Sequence, residues 1–178
     1  MKPDKAYLEA VLPRVRESME TRYGLLVSFV ALPPPFTGDL DGVEVRIHPD
    51  HGIEPRLFTL AHLFGHTVQW NTSDAATSLA TAAPGAYDAA QIAAVAAYER
   101  EASRYGLQLL HETGIADLDQ WLSDFAAADL AFLAHFYRTG EKLAPERFWR
   151  DGQPLLEPLA IPAFQPRRRK FRWDGVVL

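Results

Sequence analysis

From Asp4 to Tyr23, apolar residues fall at Tyr7, Leu8, Val11, Leu12, Val15 and Met19, with polar residues between them. That three-and-four spacing predicts an amphipathic helix. Gly24 ends it, and Pro13 is expected to bend or restart it. Residues 25–32 are rich in Leu, Val and Phe and predict a buried strand. Pro33-Pro34-Pro35 stops that strand, because proline brings no N–H to a ladder. After the turn-rich residues 37–42, Val43, Val45 and Ile47 alternate with Glu44, Arg46 and His48, the period of a half-buried strand. The two strands are expected to pair antiparallel.

Residues 55–70 predict a second helix, with Leu57, Leu60, Ala61, Phe64 and Val68 on its buried side. Thr59, His62, His66 and Gln69 fall on another face. Gly65 is a poor helix former, which points to close approach by another backbone there. A third helix starts near Tyr87 or Asp88 and runs to about His111, with Ile92, Val95, Ala102, Tyr105 or Gly106, and Leu109 as its apolar stripe. Two short helices over 118–125 and 129–137 follow, closed by Gly140. Their aromatic residues Trp121, Phe125, Phe132, Phe136 and Tyr137 suit a core or a partner-facing surface. One helix, two strands and then helices only predict a single α+β domain over residues 1–151. Residues 152–178 read as an extended Pro/Arg-rich tail packed on that domain.

Composition narrows the chemistry. The 178 residues suffice for a proper core, and the net charge of −5 gives the whole chain no pull toward nucleic acid. With no cysteine, thiolate metal sites, disulfides and cysteine nucleophiles are excluded, so a transition-metal site must use His, Asp and Glu. Neither a signal-peptide core nor an apolar run of membrane-spanning length is present, and a cytoplasmic protein is expected. The run Arg167-Arg168-Arg169-Lys170-Phe171-Arg172 is basic enough to meet phosphates. It is expected instead to be a solvated or intramolecularly paired tail, so no nucleic-acid partner is expected.

His62 and His66 stand one helical turn apart, where both imidazoles reach one metal ion. In a zinc peptidase helix the residue after the first histidine is the glutamate that deprotonates the attacking water. Here it is Leu63. The alternative is that both histidines are satisfied core residues hydrogen-bonded to backbone or to Glu101.

The segment Gly38-Asp39-Leu40-Asp41-Gly42, the strand behind it and Arg56-Leu57-Phe58-Thr59-Leu60-Ala61-His62-Leu63-Phe64-Gly65-His66 resemble the ImmA/IrrE family of zinc metallopeptidase-like domains, whose members typically read FTLAHELGH here. Glu99-Arg100-Glu101-Ala102-Ser103-Arg104-Tyr105-Gly106-Leu107-Gln108-Leu109-Leu110 is similar to the family's second signature helix. The resemblance implies a minimal zincin-like fold and a zinc site of His62, His66 and Glu101, with one position open to water. Glu99 is the fallback ligand, two positions away and so about 200° around the helix. The resemblance also implies a repressor of the helix-turn-helix type as protein partner. Leu63 departs from the family pattern and leaves no confident catalytic residue, since it neither accepts nor carries a proton. The expected function is therefore a zinc-binding or regulatory pseudo-peptidase. One alternative is an active zinc endopeptidase that uses a non-standard base on a repressor-type protein; another is a metal-free interaction module. Val45, His48 and Tyr98 are candidate substrate-binding residues, because an edge strand over 42–48 suits an extended peptide. The same strand also suits a plain edge protected by Glu44 and Arg46. His48, His51, Tyr98, Tyr105 and His111 are candidates to stabilise an oxyanion.

Overall fold

The computed structural model describes residues 3–33, 36–80 and 87–169. In chain order these form α1 (Lys5–Tyr23), β1 (Leu26–Phe29), β2 (Gly38–Leu40), β3 (Glu44–Ile47), α2 (Ile53–Thr72), α3 (Asp74–Ala80), α4 (Ala89–Glu112) and α5 (Asp119–Thr139). A 3₁₀ turn, Pro145–Phe148, follows. The architecture is α+β and mostly helical. Among the described residues no helix is long and apolar enough to cross a membrane.

The three strands form one sheet in the order β1-β3-β2. β1 pairs parallel with β3, not antiparallel as expected from the pattern, while β2 pairs antiparallel with β3. The cause is β2 itself, which lies in residues that read as a turn. The chain reverses once before β2 and once after it, so β1 and β3 end up pointing the same way. The second reversal is a tight turn in which the Asp41 carboxylate accepts from the Val43 and Glu44 N–H groups at 3.1 and 2.9 Å. Gly42 occupies it at φ +90°.

α1 runs unbroken through Pro13, so the helix does not restart there. Pro13 and Glu9, whose carbonyl loses its helical donor, both lie on the exposed face, where water is available. α2 extends two residues beyond each expected end, with Pro55 tolerated in its first turn. The two helices expected after residue 118 are one, because Ala126-Ala127-Ala128 between them are the strongest helix formers.

α2 is the central element: every residue from Leu57 to Trp70 is buried. The main core packs Leu8, Val11, Val15 and Met19 of α1, Val45 and Ile47 of β3, Leu57, Leu60 and Phe64 of α2, and Leu107, Leu109 and Leu110 of α4. Residues 152–169 have no regular structure but lie along the helices. The Leu156 N–H donates to Ser123 Oγ at 3.0 Å and the Leu159 N–H to the Arg104 carbonyl at 3.2 Å. Phe164 stacks on Tyr23 at 5.8 Å. Arg169 donates to the Trp70 carbonyl and pairs with Asp74 at 2.9 Å, and Arg168 pairs with Asp41 at 3.3 Å. Lys170, Phe171 and Arg172 of the basic run lie outside the described residues.

Candidate metal centre

Two glycines set how closely α2 and α4 approach. A Cβ at Gly65 would lie inside the Ala102 carbonyl, and one at Gly106 would stand 2.5 Å from the Ala61 carbonyl oxygen. Each helix thus takes the other's backbone where it has no side chain of its own. The approach brings residues 62 and 66 of α2 against residues 99 and 103 of α4.

The result is a buried triangle. Glu99 Oε2 lies 2.9 Å from His62 Nε2 and 3.1 Å from His66 Nε2, and the two Nε2 atoms are 3.0 Å apart. All three residues are at most 7% exposed. Among the described residues they are the group of His, Asp and Glu side chains whose ligand atoms converge closely enough to hold a metal ion.

Their outer hydrogen bonds decide where the imidazole protons are. Gln69 Nε2 donates to the Tyr98 carbonyl at 2.9 Å and to Glu101 Oε2 at 2.7 Å. Both partners accept only, so the amide orientation is settled and Gln69 Oε1 is what faces His66 Nδ1 at 2.9 Å. His66 Nδ1 therefore carries a proton. Ser103 Oγ spends its one proton on the Glu99 carbonyl at 3.1 Å, so at 3.1 Å from His62 Nδ1 it accepts. With the hydroxyl turned that way, His62 Nδ1 carries a proton too.

With both Nδ1 atoms engaged, each imidazole turns its Nε2 inward, toward a carboxylate oxygen, where it can hold a proton or a metal. Three lone pairs at this separation repel unless a positive charge stands among them, either a proton or a metal cation. A tetrahedral zinc with bonds of about 2.0–2.1 Å spaces its ligand atoms about 3.3 Å apart, so the triangle needs to open by only a few tenths of an ångström. The donor set suits that ion. Burial by itself would push the Glu99 carboxyl up, but positive charge at His66 and the hydrogen bonds from both imidazoles outweigh it and hold it well below the usual carboxylate range.

Phe58 stacks on His62 with ring centres 5.3 Å apart, and Tyr98 stacks on His66 at 4.5 Å. The Tyr98 hydroxyl accepts from Trp70 Nε1 at 2.9 Å. Burial, and then the Glu99 charge, push the Tyr98 and Tyr137 hydroxyls above their ordinary value. Asp129, half-buried on α5, feels the same cluster. Burial pushes its carboxyl up to about 7, with positive charge at His62 pulling it down and the Glu99 charge adding to the rise.

Several expectations are corrected here. The third group of the triangle is Glu99, not Glu101, which is exposed and holds Gln69 instead. β3 is the central strand, hydrogen-bonded on both sides, so residues 43–48 offer no edge to an added peptide, and Val45 is wholly buried in the core. His48 packs against His51 at 5.3 Å and accepts from the Asp50 N–H, outside the triangle. Of the candidate substrate residues only Tyr98 borders the triangle. Leu63 faces the sheet: a Cβ on Gly38 of β2 would stand 2.8 Å from its Cδ1. Gln69, Ser103 and Asp129 were not anticipated as site residues. Ser103 follows Glu99 by one turn and Gln69 follows His66 by three residues, the spacings at which helical side chains meet. No family model, curated protein or solved structure matches the chain.

Proposed function

We propose that this protein is a zinc-binding domain of the ImmA/IrrE type, with His62, His66 and Glu99 as its ligands, serving as a regulatory pseudo-peptidase. One observation carries the reading: two imidazole Nε2 atoms and a carboxylate oxygen converge in a buried pocket while each outward Nδ1 already has a partner of its own. Zinc bound there supplies a Lewis acid. The chain's own residues orient the ligands and exclude water from them, and Leu63 moves no proton. A repressor of the helix-turn-helix type is the partner that fits the resemblance.

Metal analysis of protein purified without a histidine tag tests this. About one zinc per chain is expected, lost in His62→Ala and in Glu99→Ala. Protein that takes up no zinc from a stoichiometric solution would overturn the reading in favour of a metal-free module.

A second reading, an active endopeptidase, is favoured by Asp129, a carboxyl of α5 that feels the charges of His62 and Glu99 and that burial pushes up to about 7, in the range of a general base. Chelator-sensitive cleavage of a repressor, abolished in Asp129→Asn, would establish it. Absence of cleavage by the zinc-loaded protein leaves the pseudo-peptidase reading in place.

A further inference from the structure

We infer that Glu101 and Gln69 are positioning residues, forming a carboxylate–amide–imidazole relay that holds His66 in the tautomer able to bind metal. The inference rests on the zinc reading above and extends it beyond the ligands.

The two imidazoles are held differently. His62 Nδ1 donates to Ser103 Oγ, which passes its own proton to the Glu99 carbonyl, so this chain of bonds closes on the main chain of α4 within one turn. No side-chain amide is involved, and the Ser103 hydroxyl, a donor and acceptor in one atom, serves either tautomer of His62 by turning. His66 Nδ1 faces a primary amide, whose donor and acceptor are separate atoms and exchange places only if the whole group rotates. Rotated by half a turn, Gln69 would present Nε2 to His66, and His66 would have to accept at Nδ1 and carry its proton on Nε2. That proton would occupy the point where the metal is held. Two acceptors prevent the rotation, the Tyr98 carbonyl at 2.9 Å and the Glu101 carboxylate at 2.7 Å. In the reversed amide the carbonyl oxygen would face both of them, acceptor against acceptor.

Gln69 is 1% exposed, so water offers no substitute partner. Glu101 is exposed, yet its carboxylate reaches inward far enough to hold the amide. The two acids of α4 thus divide the work: Glu99 meets the metal, and Glu101 governs which nitrogen of His66 is free to do so. Outer partners of ligating histidines commonly carry a 10–100-fold share of metal affinity.

The test uses three full-length variants and two readouts. Competition with a chromophoric chelator gives zinc affinity, and nitrogen chemical shifts of the histidine rings in the metal-free protein give the tautomers. In Glu101→Ala, zinc affinity is expected to fall about tenfold, with the His66 ring moving toward a tautomer mixture while His62 keeps its Nδ1 proton. Glu101→Gln retains an acceptor at the same reach and is expected to stay within about threefold of the parent. Gln69→Leu removes the relay and is expected to lose about 100-fold. Glu101 is exposed, so its variants should fold. Unchanged affinity and unchanged His66 shifts in Glu101→Ala would overturn the inference. Equal losses in Glu101→Ala and Glu101→Gln would do so as well, because they would assign the effect to charge alone. A parent that binds no zinc would sink the zinc reading, whereas the metal-free ring shifts would still report whether the relay sets the tautomer.

Discussion

On one side of α2, Phe64 meets Tyr23 of α1 edge to face at 4.9 Å, and Thr59 and Leu63 close over Gly38 of β2. On the other side, Ala61, His62, Gly65, His66 and Gln69 meet α4, with backbones pressed together and each imidazole nitrogen engaged. The first interface is held by shape and apolar burial, and any side chain of suitable volume satisfies it. The second is held by directional bonds in a space too dry for water to repair them. The contrast explains Leu63. Position 63 is one residue from a candidate ligand in sequence, but about 100° around the helix it belongs to the apolar interface, where leucine fits the floor of the sheet.

Three substitutions would sharpen or break this contrast. The largest effect is expected at the polar interface from Gly65→Ala. A methyl group there has no room against Ala102, and the helices must separate at a cost of about 3 kcal/mol in denaturant unfolding, with zinc binding lost alongside. A change under about 1 kcal/mol would show that the two backbones are not packed as described. Next comes Leu63→Glu, which places at position 63 the glutamate that a zinc peptidase helix carries there. It is expected to cost about 2–3 kcal/mol, because it puts a carboxylate against Gly38 and Thr59 without a partner. Should that variant keep its stability and acquire chelator-sensitive proteolysis, position 63 belongs to the metal side and the division fails.

The smallest effect is a pH dependence from Asp129. Its folded carboxyl, at about 7 against an ordinary 3.8, binds a proton more tightly than the unfolded chain does. Stability from this group is therefore fully present below the ordinary value and is lost as pH rises through about 7. Glu99, shifted the other way, contributes stability that is lost only as pH falls below the ordinary carboxylate range, outside that window. Metal-free Asp129→Asn should accordingly gain on the parent between pH 5 and pH 8, by on the order of 2 kcal/mol after allowance for partial exposure. Parallel unfolding curves at the two pH values would remove Asp129 from the cluster.

Much of the candidate site was legible along the chain. The histidine pair and the apolar stripe of its helix are visible as a 3.6-residue period, and Gly65 announced the close approach that Ala102 makes. The stripe of α4 even favoured Glu99 over Glu101. Glu99 lies four residues after Val95, three before Ala102 and seven before Gly106, all on one face. The register of the ImmA/IrrE resemblance pointed instead to Glu101, and the periodicity was the better guide. β2 was not legible, because a three-residue strand carries too little alternation to stand out from a turn.

By itself the sequence determined the courses of α1, α2 and α4, that two imidazoles share one buried face, and that one acid of α4 lies on its buried stripe. These follow from local spacing, which the helical repeat converts directly into direction. Only the tertiary structure decided that β1 and β3 run parallel, that position 63 faces the sheet, and that Gln69 and Ser103 hold the Nδ1 protons. Each of those depends on atoms that meet from distant parts of the chain, and no periodicity within one element encodes which surface of another it will touch.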